Sequence, residues 1–217
     1  MFGKKAKFKS YDVLNYHVSP MILLRGERIH LRPLEPSDLK EFFRWINDAE
    51  AAGEFDVFGI TSWADLEKWI REPSGPYEFS ALVIERNCTK DRVGVAVRYI
   101  SHPVMCHMEV GFQIWDKNER NKGYATEAAR LLVDYLFTTR DLTRVQATTH
   151  VLNKPAQRVL EKCGFAREGR LKSALFTNGE HHDAYVYGIT RRKWKLLRNN
   201  GNHLNSESPS TIISPIM

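Results

Sequence analysis

Apolar residues recur along this chain with two different periods, and each change of period marks an element. "ERIHLRPLE", from Glu27, alternates apolar and polar positions and predicts a strand. "PSDLKEFFRWIND" opens on Pro and Ser and places Leu39, Phe42, Phe43 and Ile46 on one side of a helix. "SWADLEKWIREP" predicts a second short helix, with Leu66, Trp69 and Ile70 sharing a face and Pro73 just past its end. "FSALVIER", "RVGVAVRYI" and "HMEVGFQIW" predict three strands in succession. A helix then starts inside "RNKGYATEAARLLVDYLF", Arg120 to Phe137, and "RVQATTHVL" predicts another strand. "NKPAQRVLEKCGF" is a helix with Pro155 in its first turn, where a missing N–H costs nothing. Its Ala156, Val159, Leu160 and Cys163 follow i, i+3, i+4, i+7 spacing, and Gly164 closes it as a left-handed cap. In "KSALFTNGEHHDAYVYGI", Asn178-Gly179 between two β-prone runs predicts a hairpin. This order implies an α/β (α+β) fold with a mixed central β-sheet and helices on both faces.

The 217 residues and their 42 % hydrophobic content suit one domain, expected over 22–197. Residues 1–21 have weak pattern and read as an N-terminal extension; residues 198–217, rich in Asn, Ser and Pro, read as a disordered tail. No run of apolar residues is long enough to span a membrane. The basic start "MFGKKAKFKS" lacks the apolar stretch of a signal peptide. Cys88, Cys106 and Cys163 are too few and too scattered for a disulfide framework or a zinc site, which points to a reducing, cytoplasmic setting and to no metal.

The formal charge of +6 is concentrated at the ends: four lysines lie in the first ten residues and five cations between Arg191 and Arg198. The body between them is slightly acidic, which argues against nucleic acid as a partner. From Glu35 to Glu67 there are nine acids and two bases. That segment is either a solvated helical face or a negative rim that draws in a cationic substrate.

The helix at Arg120–Phe137 carries the most informative chemistry. The first N–H groups of a helix have no partner within it, and the helix dipole makes that end positive. Gly123 lets a ligand approach the backbone, Arg120 and Lys122 add charge, and Thr126 adds a hydroxyl. These features describe a phosphate site, although the segment is neither a P-loop nor a dinucleotide fingerprint. A polar loop that happens to precede an amphipathic helix is the plain alternative.

Two distant segments bear on that choice. Arg120-Asn121-Lys122-Gly123-Tyr124-Ala125 matches the [QR]-x-x-G-x-[GA] loop of the GNAT acetyltransferases. The helix led by Asn153 and closed by Gly164-Phe165 matches that family's next helix, and "GRLKSALFTNGEHHDAYVYGI" resembles the closing strands of the RimJ/RimL-type subgroup, which acetylates protein N-termini. The resemblance covers roughly residues 22–196 and implies the GNAT fold, with a splayed strand pair that binds CoA. It implies that Ile114 and Trp115 hold the pantetheine arm through backbone groups. It also implies that Arg120, Asn121, Lys122, Gly123, Tyr124, Ala125 and Thr126 surround the pyrophosphate of acetyl-CoA. Asn153 would meet the pantetheine from across the cleft, serve as an N-cap, or do both.

Acetyl transfer to an amine needs a base, since most amines are protonated at neutral pH. Glu109 is the candidate: alternation puts it on one face with Gly111 and Gln113, and burial there would raise its pKa. An exposed strand position or a structural salt bridge is the alternative. Ala156 stands where many RimJ/RimL-type proteins have a serine thought to assist the leaving thiolate, so a tyrosine, water or no group protonates it here. His181 and His182 point to opposite faces of a strand and cannot chelate one ion together; the resemblance implies that Asp183 beside them lines the acceptor cleft. The expected activity is N-acetylation of a protein or peptide α-amine by acetyl-CoA. A small-molecule amine acetylase and a non-catalytic CoA-binding module are the alternatives. A homodimer is left open.

Overall fold

The computed structural model describes residues 24–56, 59–71, 79–100 and 107–200. The expected N-terminal extension, Pro73, Cys106 and most of the expected tail lie outside these residues, as do the side chains of Trp69 and Ile70. Eight strands form one sheet in the order β1-β2-β3-β4-β5-β6-β8-β7. They are β1 (Leu24–Arg25), β2 (Ile29–Pro33), β3 (Ser80–Arg86), β4 (Arg92–Tyr99), β5 (His107–Ile114), β6 (Arg144–His150), β7 (Ala166–Thr177) and β8 (Glu180–Thr190). The helices are α1 (Leu39–Ile46), α2 (Ala49–Ala52), α3 (Trp63–Arg71), α4 (Tyr124–Thr139), α5 (Lys154–Lys162) and α6 (Arg191–Asn199).

All neighbouring strands pair antiparallel except β5 and β6. Helix α4 is the crossover between those two, and a crossover is what a parallel pair requires. The β7–β8 turn is the two-residue hairpin expected from Asn178-Gly179: Thr177 pairs with Glu180, and both turn residues have positive φ (54° and 81°).

The two faces of the sheet carry separate cores. On one, α4 buries Ala128, Ala129, Leu132, Val133, Leu136 and Phe137 against Met108, Val110 and Ile114 of β5, with Leu160 and Cys163 of α5 beside them. On the other, Phe42 of α1 and Leu66 of α3 pack with Val95 and Trp115. Residues alternate sides along β5, so Glu109 and Gln113 share the α1–α3 side with Trp115.

The two-residue strand β1 and two helices were not expected. Helix α2 is too short for any periodicity to reveal. Helix α6 lies in the segment read only as a basic end, and it runs past the boundary expected at 197. Its Trp194 stacks on Phe137 with ring centroids 5.2 Å apart. Its Arg191 donates to the carbonyls of Phe137, Arg140 and Leu142, and so closes the C-terminus of α4. One of the basic residues thus serves the fold itself.

A buried ion network anchors α1 to the sheet. Arg32 grips Asp38 with two bonds (2.7 and 2.9 Å) and Glu85 with a third (2.7 Å). Asp38 also accepts from Arg92 (2.5 Å) and from the Glu35 N–H (2.8 Å). Burial pushes the Asp38 carboxyl up, but the Arg32 and Glu35 hydrogen bonds and the charges of Arg32 and Arg92 outweigh it and hold its pKa below the ordinary value of 3.8. A depressed folded-state pKa contributes stability above the unfolded value, and that contribution disappears as pH falls through the folded value. Asp38→Asn is expected to cost roughly 3–5 kcal/mol at neutral pH in a denaturant titration, because it takes from the buried Arg32 the carboxylate that it binds twice and leaves it only Glu85. It should also flatten the fall in stability below about pH 4 that the parent protein shows. A variant with the parent's midpoint and the parent's acid limb would refute this role.

Candidate active site

The ladder between β5 and β6 is short. It pairs His107, Met108 and Glu109 with Arg144, Val145 and Gln146, and ends there, although both strands continue. The strands part after Glu109 and leave a gap. Trp115 donates its N–H to Val93 O (3.1 Å), so the Ile114–Gly94 pair is of the non-hydrogen-bonded kind. The N–H and C=O of Ile114 therefore point away from β4, into the gap, and alternation gives Phe112 the same direction. The expectation for this strand is thus divided. Ile114 faces the gap, whereas the Trp115 N–H is engaged by β4 and its indole stacks on Trp45 (5.5 Å between centroids).

At the far end of the gap lies the mouth of α4. Asn121 and Gly123 both adopt positive φ (62° and 85°). The N–H groups of Tyr124, Ala125 and Thr126 precede the first intrahelical bond, Glu127 N–H to Gly123 O (3.1 Å). The two cations expected here are placed otherwise. Lys122 pairs with Glu119 at the surface (3.0 Å), and Arg120 turns inward. The cation above the loop is Arg28, from the turn between β1 and β2. Its Nε binds the buried Glu127 (3.1 Å), its Nη1 binds Lys122 O (2.6 Å), and its guanidinium remains half exposed. No pattern in the sequence pairs position 28 with position 123. A cleft of about 320 Å³ opens here, bounded by Glu27, Arg28, Gly123, Thr126, Arg130 and Lys162.

Gly123 has a second reason to be glycine. A Cβ there would lie 2.8 Å from Arg28 Nη2. The space that the sequence reading reserved for a ligand alone is shared with the guanidinium that would face it.

Glu109 sits at the point where the strands part, and it is buried. Gln146 donates to it at 3.4 Å, and Tyr99, its neighbour on β4, hydrogen-bonds to it through the phenol. Burial first, and then the Glu109 carboxylate, push the Tyr99 pKa well above its ordinary value, so the phenol stays protonated and acts as a donor. Neither Tyr99 nor Gln146 stood out in the sequence, because each becomes relevant only through strand register.

Further along the gap, His150 packs against Phe55 (5.2 Å) and His182 (4.6 Å). Burial, followed by His182, lowers the His150 pKa, with Glu54 opposing. Its Nδ1 accepts from Leu152 N–H (3.0 Å), which places the proton of the neutral ring on Nε2. His181 packs instead on Phe176 (4.9 Å), on the opposite face from His182. Among the described residues no His, Cys, Asp and Glu group could hold a metal. Asp183 is tied to β7: Ser173 N–H, Lys172 and Arg170 hold its carboxyl well below the usual range, and it is not free to serve the cleft. Asn153 caps α5 through the Ala156 N–H (3.1 Å). Burial pushes the Cys163 thiol up to about 12, which leaves it inert.

A sheet whose central parallel strands part beside a cation-topped helix mouth can hold an extended carrier by its backbone and that carrier's phosphates by the helix. This is the architecture of an acyl-CoA-dependent transferase. Residues 28–166 match the Acetyltransferase (GNAT) domain, and the chain belongs to that family, as an N-acetyltransferase that uses acetyl-CoA. It is 28 % identical over 181 residues to YdaF, a putative ribosomal N-acetyltransferase of Bacillus subtilis, covering 78 % of this chain and 95 % of that protein. It is 29 % identical over 158 residues to the spermidine N(1)-acetyltransferase of Escherichia coli, covering 72 % and 82 %. The fold is shared with RimL, a ribosomal L7/L12 α-N-protein acetyltransferase solved with CoA: the TM-score is 0.68, the coverage 78 % and 98 %, and the identity 18 %.

Gly123→Ala should lower stability by about 1–2 kcal/mol for the left-handed backbone, and by more where Arg28 is displaced. Thermal melts of Gly123→Ala, Arg28→Ala and the double variant check this. Removing Arg28 should relieve part of the Gly123→Ala loss, whereas strict additivity would show that backbone strain acts alone.

Proposed function

We propose that this protein acetylates the α-amine of a protein or peptide N-terminus by direct attack in a ternary complex, with Glu109 taking up the proton through a bridging water. The observation that carries this is the position of Glu109: buried, at the apex of the strand gap, on the side of the sheet where Gln113 reaches the α2 segment. Ile114 N–H and the Phe112 backbone would hold the pantetheine arm, with Asn153 across the gap. The N–H groups from Asn121 to Thr126 and the Arg28 guanidinium would hold the pyrophosphate. Acetyl-CoA supplies an acyl thioester, whose carbonyl carbon forms a bond to the amine nitrogen as its bond to sulfur breaks. The nitrogen loses a proton toward Glu109. The thiolate takes one from solvent, because Ala156 offers no hydroxyl.

The basicity of the acceptor favours an α-amine. With a pKa of about 7.7–8.0, roughly a tenth of it is free at pH 7; a lysine-like amine near 10.4 is less than about a thousandth free. One carboxylate acting through water suffices for the first. A polyamine or other small-molecule amine is the second reading. Glu54 and Asp56 support it, as exposed carboxylates on the segment following α2. A panel of peptides, polyamines and aminoglycosides, read by release of free thiol, separates the two. Peptides with free N-termini should release thiol, and acetyl-capped peptides should not. Turnover of polyamines alone would replace the first reading with the second.

Glu109→Gln should reduce the rate at pH 7 by about 10²–10⁴-fold, the usual worth of a general base. CoA affinity should hardly change. The deficit should shrink as pH rises and more of the amine arrives deprotonated. A folded variant with wild-type turnover at pH 7 would eliminate Glu109 as the base.

A further inference from the structure

Arg120 occupies the first position of the family's phosphate-loop motif, yet its guanidinium is engaged elsewhere. Nε donates to Ile114 O (3.0 Å), and Nη2 donates to Ala51 O (2.9 Å) and Trp115 O (3.4 Å). Ile114 and Trp115 end the strand that lines the gap, and Ala51 lies at the end of α2. The planar fork therefore ties the end of that strand to a segment 69 residues before Arg120 in the sequence. A cation that served a phosphate would present its donors to solvent; a guanidinium engaged with three carbonyls is a rigid spacer.

The same segment is fastened twice more to the same strand and its following loop. Gln113 Nε2 reaches Ala51 O (3.3 Å) and Asp56 Oδ2 (3.4 Å), and Lys117 pairs with Glu50 (3.3 Å). Asn178 at the β7–β8 hairpin tip donates to Glu54 O (3.3 Å). Lys117 and Glu50 are both exposed, so that pair adds little. Arg120 and Gln113 are partly buried and converge on one carbonyl, which makes them the stronger ties.

We propose that Arg120 is a positioning residue for the acceptor: it sets the distance between the strand that holds the CoA arm and the wall formed by residues 50–56. The phosphate is left to the loop backbone and to Arg28. This rests on the proposed function, in which the acceptor amine meets Glu109 on the side of the sheet where Gln113 reaches the α2 segment. Loss of the Arg120 fork releases the wall while the gap-facing N–H of Ile114 and the mouth of α4 stay in place. Lysine can restore one of the three bonds but not the planar bridge.

The test uses the full chain carrying Arg120→Ala, Arg120→Lys or Gln113→Leu, with three readouts: calorimetric CoA affinity, steady-state acceptor kinetics, and amide exchange of residues 51–56. In Arg120→Ala, CoA affinity is expected to change by less than about threefold while acceptor KM rises about tenfold or more, the worth of one lost charge-assisted bond. Exchange at 51–56 should quicken by a similar factor of about ten. Arg120→Lys should fall between, and Gln113→Leu should move KM and exchange in the same direction. Gln113→Leu also stands in if Arg120→Ala fails to fold. A loss of CoA affinity of about thirtyfold or more with unchanged exchange at 51–56 would make Arg120 a phosphate ligand and overturn the proposal. If the parent protein acetylates no amine tested, the acceptor reading fails on its own, and the exchange and calorimetry arms still decide whether Arg120 holds the wall.

Discussion

The early end of the β5–β6 ladder is the constraint around which the rest of the molecule is arranged. Two neighbouring strands that stop pairing leave backbone donors and acceptors facing each other across a gap, and such groups need partners. Here Arg120 answers one of them, Ile114 O. The surrounding sheet can tolerate the opening because it is paired continuously on both sides. β4 holds β5 along six residue pairs, and β8 holds β6 along seven. Helix α4, packed across β5, β4, β2 and β1, keeps the diverging strand in place. Opening is thereby confined to one seam rather than spread through the fold.

The elements were legible because they are periodic. The helix led by Asn153, the Asn178-Gly179 turn and the three strands from Phe79 to Trp115 all have signals within a single segment, and the structure places each where the pattern put it. What escaped notice lacks such a signal. Helix α2 has four residues, and α6 hid behind its charges. The candidate site divides along the same line. Gly123 and the start of α4 could be read because a helix N-terminus is a local object. Arg28, Tyr99 and Gln146 could not, since each is brought to the site by pairing or packing with residues far away in sequence. Arg120 shows the converse. Its place in a motif suggested a phosphate partner, while the direction of its side chain depends on where α2 lies, and the motif does not encode that.

Charge is distributed by function between the two sides. The Arg32–Asp38–Glu85–Arg92 network is closed: Arg32, Asp38 and Glu85 satisfy each other away from solvent, with Arg92 at the edge, and it fixes where α1 leaves the sheet. Glu54 and Asp56, on the segment after α2, remain exposed. The acid-rich stretch from Glu35 to Glu67 is therefore two things at once. Its early members, Asp38 and Glu41, hold the scaffold together, and Glu54 and Asp56 are the ones on which the cationic-acceptor reading draws.

The mouth of α4 resolves a conflict of its own. Glu127 lies in the first turn, where its negative charge suits the helix dipole but would repel a phosphate. The structure turns the carboxylate away, into a buried position where it accepts from Arg28 N–H (2.9 Å), Ile29 N–H (3.4 Å) and Arg28 Nε (3.1 Å). Three donors neutralise it locally. The same contacts fix the Arg28 backbone and one edge of its guanidinium, leaving the other edge above Gly123. An acid that would otherwise oppose an anion thus orients the cation proposed to receive one. The arrangement needs a glycine at 123 and an arginine at 28 together, since a side chain at the first would displace the second. Residues that share no segment and no pattern are in this way bound to a single steric requirement.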